Sequence, residues 1–230
     1  MPLTQHHLSD PGLLTAHPSR DVWVNRYVII IAVITVCVAY LDLAGYYHAL
    51  SDGVFLPKYA YYGLAVAIVP ILVLRSQTLG RYLNSRFILW AAAMLFLNLL
   101  YCLFSAVNGN DQAASLTLTR AQYIILAALL GFVLVNVRPL LLSRILAALA
   151  IVLAALQVVD FFAPGTVVPL GAAGAVLGRA GSTLVNANKA SESILLLTLL
   201  GMAGLRPVWR VWFLLLVLPG VFLTFSRSGL

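Results

Sequence analysis

The chain has 230 residues, of which 62% are hydrophobic and only 9% charged, with a mean hydropathy of +1.00. Soluble globular chains carry about 25% charged residues, so a water-facing surface of the ordinary kind is excluded. The net charge of +7 would suit nucleic acid in a soluble protein, but here it is distributed as in a membrane protein, and no nucleic-acid partner is expected. Cys37 and Cys102 lie in separate apolar runs without metal-ligand spacing, and read as small apolar residues.

Residues 1–26 form a polar tail with Pro2, Pro11 and Pro18, the histidines His6, His7 and His17, and Asp10 and Asp21. A signal peptide needs a short basic start, an apolar stretch at once and a small-residue cleavage site. This segment has none of that order and is expected to be a disordered cytoplasmic extension. Residues 27–230 then form a transmembrane helical domain. Seven apolar runs follow, at 27–44, 59–74, 87–107, 121–137, 145–162, 190–205 and 211–225. A span needs roughly 17–25 residues, so the second and the last two borrow flanking positions. The runs are continuously apolar rather than alternating, which selects helices over a barrel. The expected fold is therefore all-α, a polytopic integral membrane protein with about seven transmembrane helices.

Basic residues orient it. With the N-terminus in the cytoplasm, the inner segments hold Arg20, Arg26, Arg75, Arg81, Arg86, Arg138, Arg144, Arg206 and Arg210. The outer ones hold Lys58, Arg120, Arg179, Lys189 and Arg227. This is the positive-inside bias. The acids Asp42, Asp52, Asp111, Asp160 and Glu192 all fall at or beyond outer helix ends. Lys58 and Arg120 immediately precede spans and read as interfacial anchors with snorkelling stems. Within the spans, Asn98 and Gln157 are expected to make interhelical hydrogen bonds.

Arg179, Lys189 and Arg227 belong to local patterns. The outer connection, residues 163–189, carries Gly165, Gly171, Gly174, Gly178 and Gly181, a backbone free to approach a ligand closely. It has no G-x-x-x-x-G-K-[ST] match. Asn188 is placed to cap the sixth apolar helix, with Glu192 in its first turn. The plain reading is a capped helix entry beside a surface arginine. The functional reading is an outward anion site made of helix N-terminal amides, Arg179 and Lys189. Two cations with a planar guanidinium suit a diphosphate. Arg227 adds a further cation, since the chain closes with Ser226-Arg227-Ser228-Gly229-Leu230 at the end of an apolar run, where a charge needs an anionic partner or a function.

The series Arg179-x-Gly181, then Asn186-x-Asn188, an apolar helix, a short basic turn and a second apolar helix ending in Ser226-Arg227-Ser228-Gly229 resembles the O-antigen ligase and polymerase superfamily of bacterial envelopes. The spacing from Arg179 to Gly181 is one residue tighter than that family's usual pattern, and Ala187 stands where proline is common. The resemblance implies a glycosyltransferase of the cell envelope in the bacterial inner membrane, active in lipopolysaccharide or polysaccharide synthesis. It would take a glycan from an undecaprenyl-diphosphate carrier and pass it to an acceptor hydroxyl at the outer face. By matching position, Arg179 and Arg227, with Lys189, Asn186 and Asn188, would hold the diphosphate, and no metal or cofactor is implied. The family's histidine-bearing outer loop lies downstream of the Ser-Arg unit, so the chain is expected to be an incomplete form. His48, beside Tyr46 and Tyr47, reads as part of an interfacial aromatic cluster, and no catalytic base is assigned. Two other readings stay open: a membrane transporter or permease, and a non-catalytic protein retaining a carrier-lipid site. The acceptor and the oligomeric state are left undetermined.

Overall fold

The computed structural model describes residues 18–51, 54, 56–167 and 180–225. Among these the chain forms nine α-helices and one 3₁₀ turn, with no strand. They are α1 (Pro18–Tyr40), α2 (Leu43–Leu50), α3 (Pro57–Leu74), α4 (Ser76–Leu83), α5 (Arg86–Val107), α6 (Asp111–Val135), α7 (Pro139–Phe162), the 3₁₀ turn (Ser182–Leu184), α8 (Ala187–Met202) and α9 (Pro207–Phe225). Six of them, α1, α3, α5, α6, α7 and α9, are long and apolar enough to cross a membrane. The chain is a multi-pass membrane protein.

The expected runs reappear with shifted ends. Residues 18–26, expected in the tail, already belong to α1; the expectation of disorder over residues 1–17 falls outside the described residues. α6 starts ten residues before the expected run at 121, because Asn110 accepts the Ala113 N–H (3.1 Å) and opens the helix there. Arg120, expected just ahead of a span, is therefore an exposed residue within α6. α2 and α4 were hidden in loops, since eight residues carry little periodic signal. The expected sixth span, 190–205, is α8, whose 16 residues extend about 24 Å, short of a lone crossing.

α8 is nevertheless tied to α7 near both of its own ends. At one end Ser143 Oγ is bifurcated between the Leu200 (2.7 Å) and Gly201 (2.9 Å) carbonyls and accepts the Gly204 N–H (2.7 Å). At the other, the Asp160 carboxylate accepts N–H groups from the turn that leads into α8. Small residues let the backbones meet between these ends. A Cβ on Gly201 would lie 2.8 Å from Ala147 Cα, and one on Gly220 of α9 would lie 2.7 Å from Ala154 Cα. In lipid, where hydrophobic exclusion does not drive helices together, such close approach is the main source of cohesion.

Two buried apolar clusters result. One joins α7, α8 and α9 to Val36 of α1 and Leu41. The other joins α1, α3 and α6 with Tyr82 of α4. The Arg75 guanidinium donates to Asn25 Oδ1, bringing the end of α3 to the start of α1. Arg26, Arg81, Arg86, Arg138 and Arg206 thus gather toward one end of the bundle, while Asp42 and Asp160 lie at the other.

Candidate functional site

The turn between residues 180 and 186 closes on itself at the Asp160 end. Ala180, Gly181, Ser182, Thr183 and Leu184 are all buried. Asp160 Oδ2 accepts the backbone N–H of Gly181 (3.1 Å) and of Ser182 (3.0 Å), charge-assisted bonds that fix the turn on the last helical level of α7. Gly181 is required by space rather than by its own dihedral. A Cβ there would sit 2.3 Å from the Val185 carbonyl oxygen and 2.6 Å from its carbon, so the backbone has no room to yield.

This turn holds strain. Ser182 has φ of 46° and Val185 of 60°, and for a β-branched residue that is a true outlier. The Asn186 N–H donates to the Leu184 carbonyl across Val185 (2.5 Å), the hydrogen bond of a γ-turn whose centre has φ above zero. Such residues cost on the order of 1–3 kcal/mol each and persist where surrounding structure dictates them. The strained turn delivers the chain into α8 with Asn186 as the cap, its Oδ1 accepting the Asn188 N–H (2.9 Å). The expected cap was Asn188; the γ-turn moves the helix start back, so Asn188 lies in the first turn and Glu192, expected there, lies beyond it.

Lys189 is exposed in the first turn of α8, where a cation opposes the helix macrodipole and gains from an anion nearby. Asp42 supplies one charge: Lys189 lies within its electrostatic reach. Asp42 itself is left-handed (φ 45°) and caps α2 by accepting the Gly45 N–H (3.1 Å). Burial pushes its carboxyl pKa up; the Gly45 bond and the Lys189 charge pull it down. α2 is tied to the residues after α7 by the Tyr46 hydroxyl, which donates to the Val167 carbonyl (2.7 Å).

Beneath the turn lie polar groups without partners. Gln157, one helical turn before Asp160, has no exposed surface, and neither its amide nitrogen nor its oxygen is hydrogen-bonded. The Ser182 and Thr183 hydroxyls are buried and likewise unpaired. Each such group costs about 1–3 kcal/mol. The expected interhelical bond of Gln157 is thus not made, and Asn98 donates within its own helix to the Met94 carbonyl (2.8 Å).

Of the residues proposed from sequence, Lys189, Asn186 and Asn188 are brought together at the start of α8. Arg179 and Arg227 lie outside the described residues. Sequence reasoning missed the roles of Asp42 and Asp160. An aspartate at a helix end, ahead of a glycine-rich segment needing N–H acceptors, was the available signal for Asp160. Among the described residues the Lys189 ammonium is already within reach of the Asp42 carboxylate, so anion binding there needs further cations. Among the described residues no three of His, Cys, Asp or Glu converge as metal ligands. No protein-family model matches the chain, and no curated protein and no solved structure shows significant similarity to it.

Proposed function

We propose that the protein binds an undecaprenyl-diphosphate-linked glycan at the outer face of a bacterial inner membrane and serves its transfer to an acceptor hydroxyl. This is the O-antigen ligase or polymerase type of reaction. The N-terminus and the arginine-rich end then face the cytoplasm, and the Asp160 end faces outward. One observation carries the reading: a strained turn that Gly181 alone can close, clamped by Asp160, stands between Arg179 and the start of α8. Strained residues held in place by surrounding structure cluster at functional sites, and this segment coincides with the Arg179–Asn188 pattern.

In this reading Asp160 is a positioning residue. By engaging the Gly181 and Ser182 amides it fixes the chain that follows Arg179, and Asn186 fixes the start of α8 with Lys189. Arg179 and Arg227 would contact the diphosphate and offset the negative charge that grows on it as the sugar departs. Such preorganised charge stabilisation is commonly the largest catalytic term. Bidentate geometry favours arginine for the task, and a site of fixed cations does this work without a metal.

Binding of undecaprenyl diphosphate to the purified chain in nanodiscs tests the proposal. Arg179→Ala is expected to weaken binding about tenfold or more, the effect of losing one charge-assisted bond pair. Arg120→Ala, a cation on α6, is expected to leave it unchanged. Equal losses would reduce the site to general surface charge and refute the proposal.

A further inference from the structure

At the arginine-rich end, away from the Asp160 turn, a groove of about 250 Å³ opens between α3, α4, α5 and α6. Its walls include three alanines, Ala91 and Ala92 on α5 and Ala128 on α6, together with Leu95 and Ile124. Its one polar wall atom is occupied: the Tyr82 hydroxyl donates to the Ala128 carbonyl (2.7 Å). Water would find no hydrogen-bond partner along these walls. From Ile88 to Leu95 the α5 wall runs seven residues, about 10 Å. The groove reaches the lipid-facing surface, since Leu83 and Ile125 on its rim are half exposed.

Tyr82 also lines a second hollow of about 650 Å³, whose other walls include Thr78, Arg81 and Ser85. α4 divides its faces accordingly. Leu79, Tyr82 and Leu83, at i, i+3 and i+4, belong to the apolar groove, and Thr78 and Arg81 to the second hollow. This is the pattern of a helix lying in the interface plane. Gly131 lines the second hollow and lets Tyr82 sit close, because a Cβ there would lie 2.5 Å from the Tyr82 hydroxyl and 3.2 Å from Phe87.

A hydrocarbon slot beside a cation and two hydroxyl-bearing residues matches an amphiphile with an anionic head. We propose that this is a binding site for one anionic glycerophospholipid, its acyl chain between α5 and α6 and its phosphate at Arg81. The charge complementarity of Arg81 selects anionic over zwitterionic lipid, and the alanine-lined groove selects a chain over a free phosphate. The site is independent of the outer diphosphate reading, since Arg81 lies at the end of the bundle away from Asp160.

Native mass spectrometry of the full chain, released from micelles holding equal phosphatidylglycerol and phosphatidylcholine, tests it. The wild type is expected to retain phosphatidylglycerol in preference by about fivefold, the contribution of one arginine beside anionic headgroups. Arg81→Gln should abolish the preference, whereas Arg206→Gln, an exposed arginine at the same end, should keep it. Ala128→Leu and Ala92→Leu should lower retention of both lipids, and millimolar inorganic phosphate should displace neither. Preference unchanged in Arg81→Gln, or lost equally in Arg206→Gln, would overturn the headgroup site. Full retention in the leucine variants would overturn the chain site. Arg81 is exposed, so its variant keeps the fold and decides the matter if the leucine variants do not fold.

Discussion

The unit of α7, α8 and α9 and the hairpin of α5 and α6 are drawn from the same apolar alphabet, yet they are held in different ways. In an apolar 18-residue stretch of α7, 39% of residues are buried inside the protein; in that of α5 the share is 6%. The difference comes from small residues and polar ends. α7 and its neighbours interlock through Gly201 on Ala147 and Gly220 on Ala154, and are pinned by Ser143 at one end and Asp160 at the other. α5 instead turns Trp90, Phe96, Leu97, Leu103 and Phe104 outward, toward what in a membrane is lipid. In a bilayer, burying leucine against leucine gains little over burying it in acyl chains. Backbone contact and polar pinning therefore decide which helices form a fixed frame. The frame carries the strained turn, and the looser hairpin leaves a groove.

The largest effect that would break this contrast is at Gly181. Gly181→Ala drives a Cβ into the Val185 backbone and should unseat the turn, lowering the melting temperature and removing carrier binding together. Gly80→Ala on α4, where a Cβ meets nothing within 4 Å, should be neutral in both assays. Next come Gly201→Ala and Gly220→Ala, each expected to cost about 1–3 kcal/mol by overpacking. Phe96→Ala on the hairpin should stay within about 0.5 kcal/mol in detergent unfolding. If the two kinds of substitution cost the same, the frame is not held by close backbone contact.

Gln157→Leu should be neutral or stabilising, because it removes two unpaired buried groups without opening a cavity. A marked loss of stability would show that the amide has partners in the membrane.

The smallest effect concerns Asp42. Its carboxyl is pushed up mainly by burial, so the folded state holds the proton more tightly than the unfolded chain. The stability this contributes is fully present below the ordinary aspartate value of about 3.9 and is lost as pH rises through the higher folded value. Asp42→Asn keeps the acceptor for Gly45 and should flatten that decline in melting curves taken across the window. Lys189 lies within electrostatic reach of Asp42 and lowers its carboxyl against the larger effect of burial. A decline that persists in the variant would assign the effect to another group.

Much of the frame was legible in the sequence, because continuous apolar runs report membrane helices directly and α3, α5, α7 and α9 end within a few residues of the expected bounds. Helix starts were less legible. Asn110 begins α6 in polar sequence that the apolar runs did not mark, and the γ-turn at Val185 shifts the cap of α8 from Asn188 to Asn186. Neither depends on apolar periodicity. For the site, the Arg179–Asn188 pattern drew attention to the correct segment. The reason for its glycine became visible only when the Val185 backbone folded over Gly181. Asp160 was read as a hydrated helix-end acid, since no local pattern links it to amides 21 residues on.

The central claim is that the strained turn is kept in place for the carrier diphosphate, and Asp160 is its clamp. The direct measurement is the affinity of Asp160→Ala for undecaprenyl diphosphate in nanodiscs, with helix content followed by circular dichroism. The account predicts at least about tenfold weaker binding, since two charge-assisted bonds are lost, with helix content retained. Wild-type affinity with the clamp removed would contradict it.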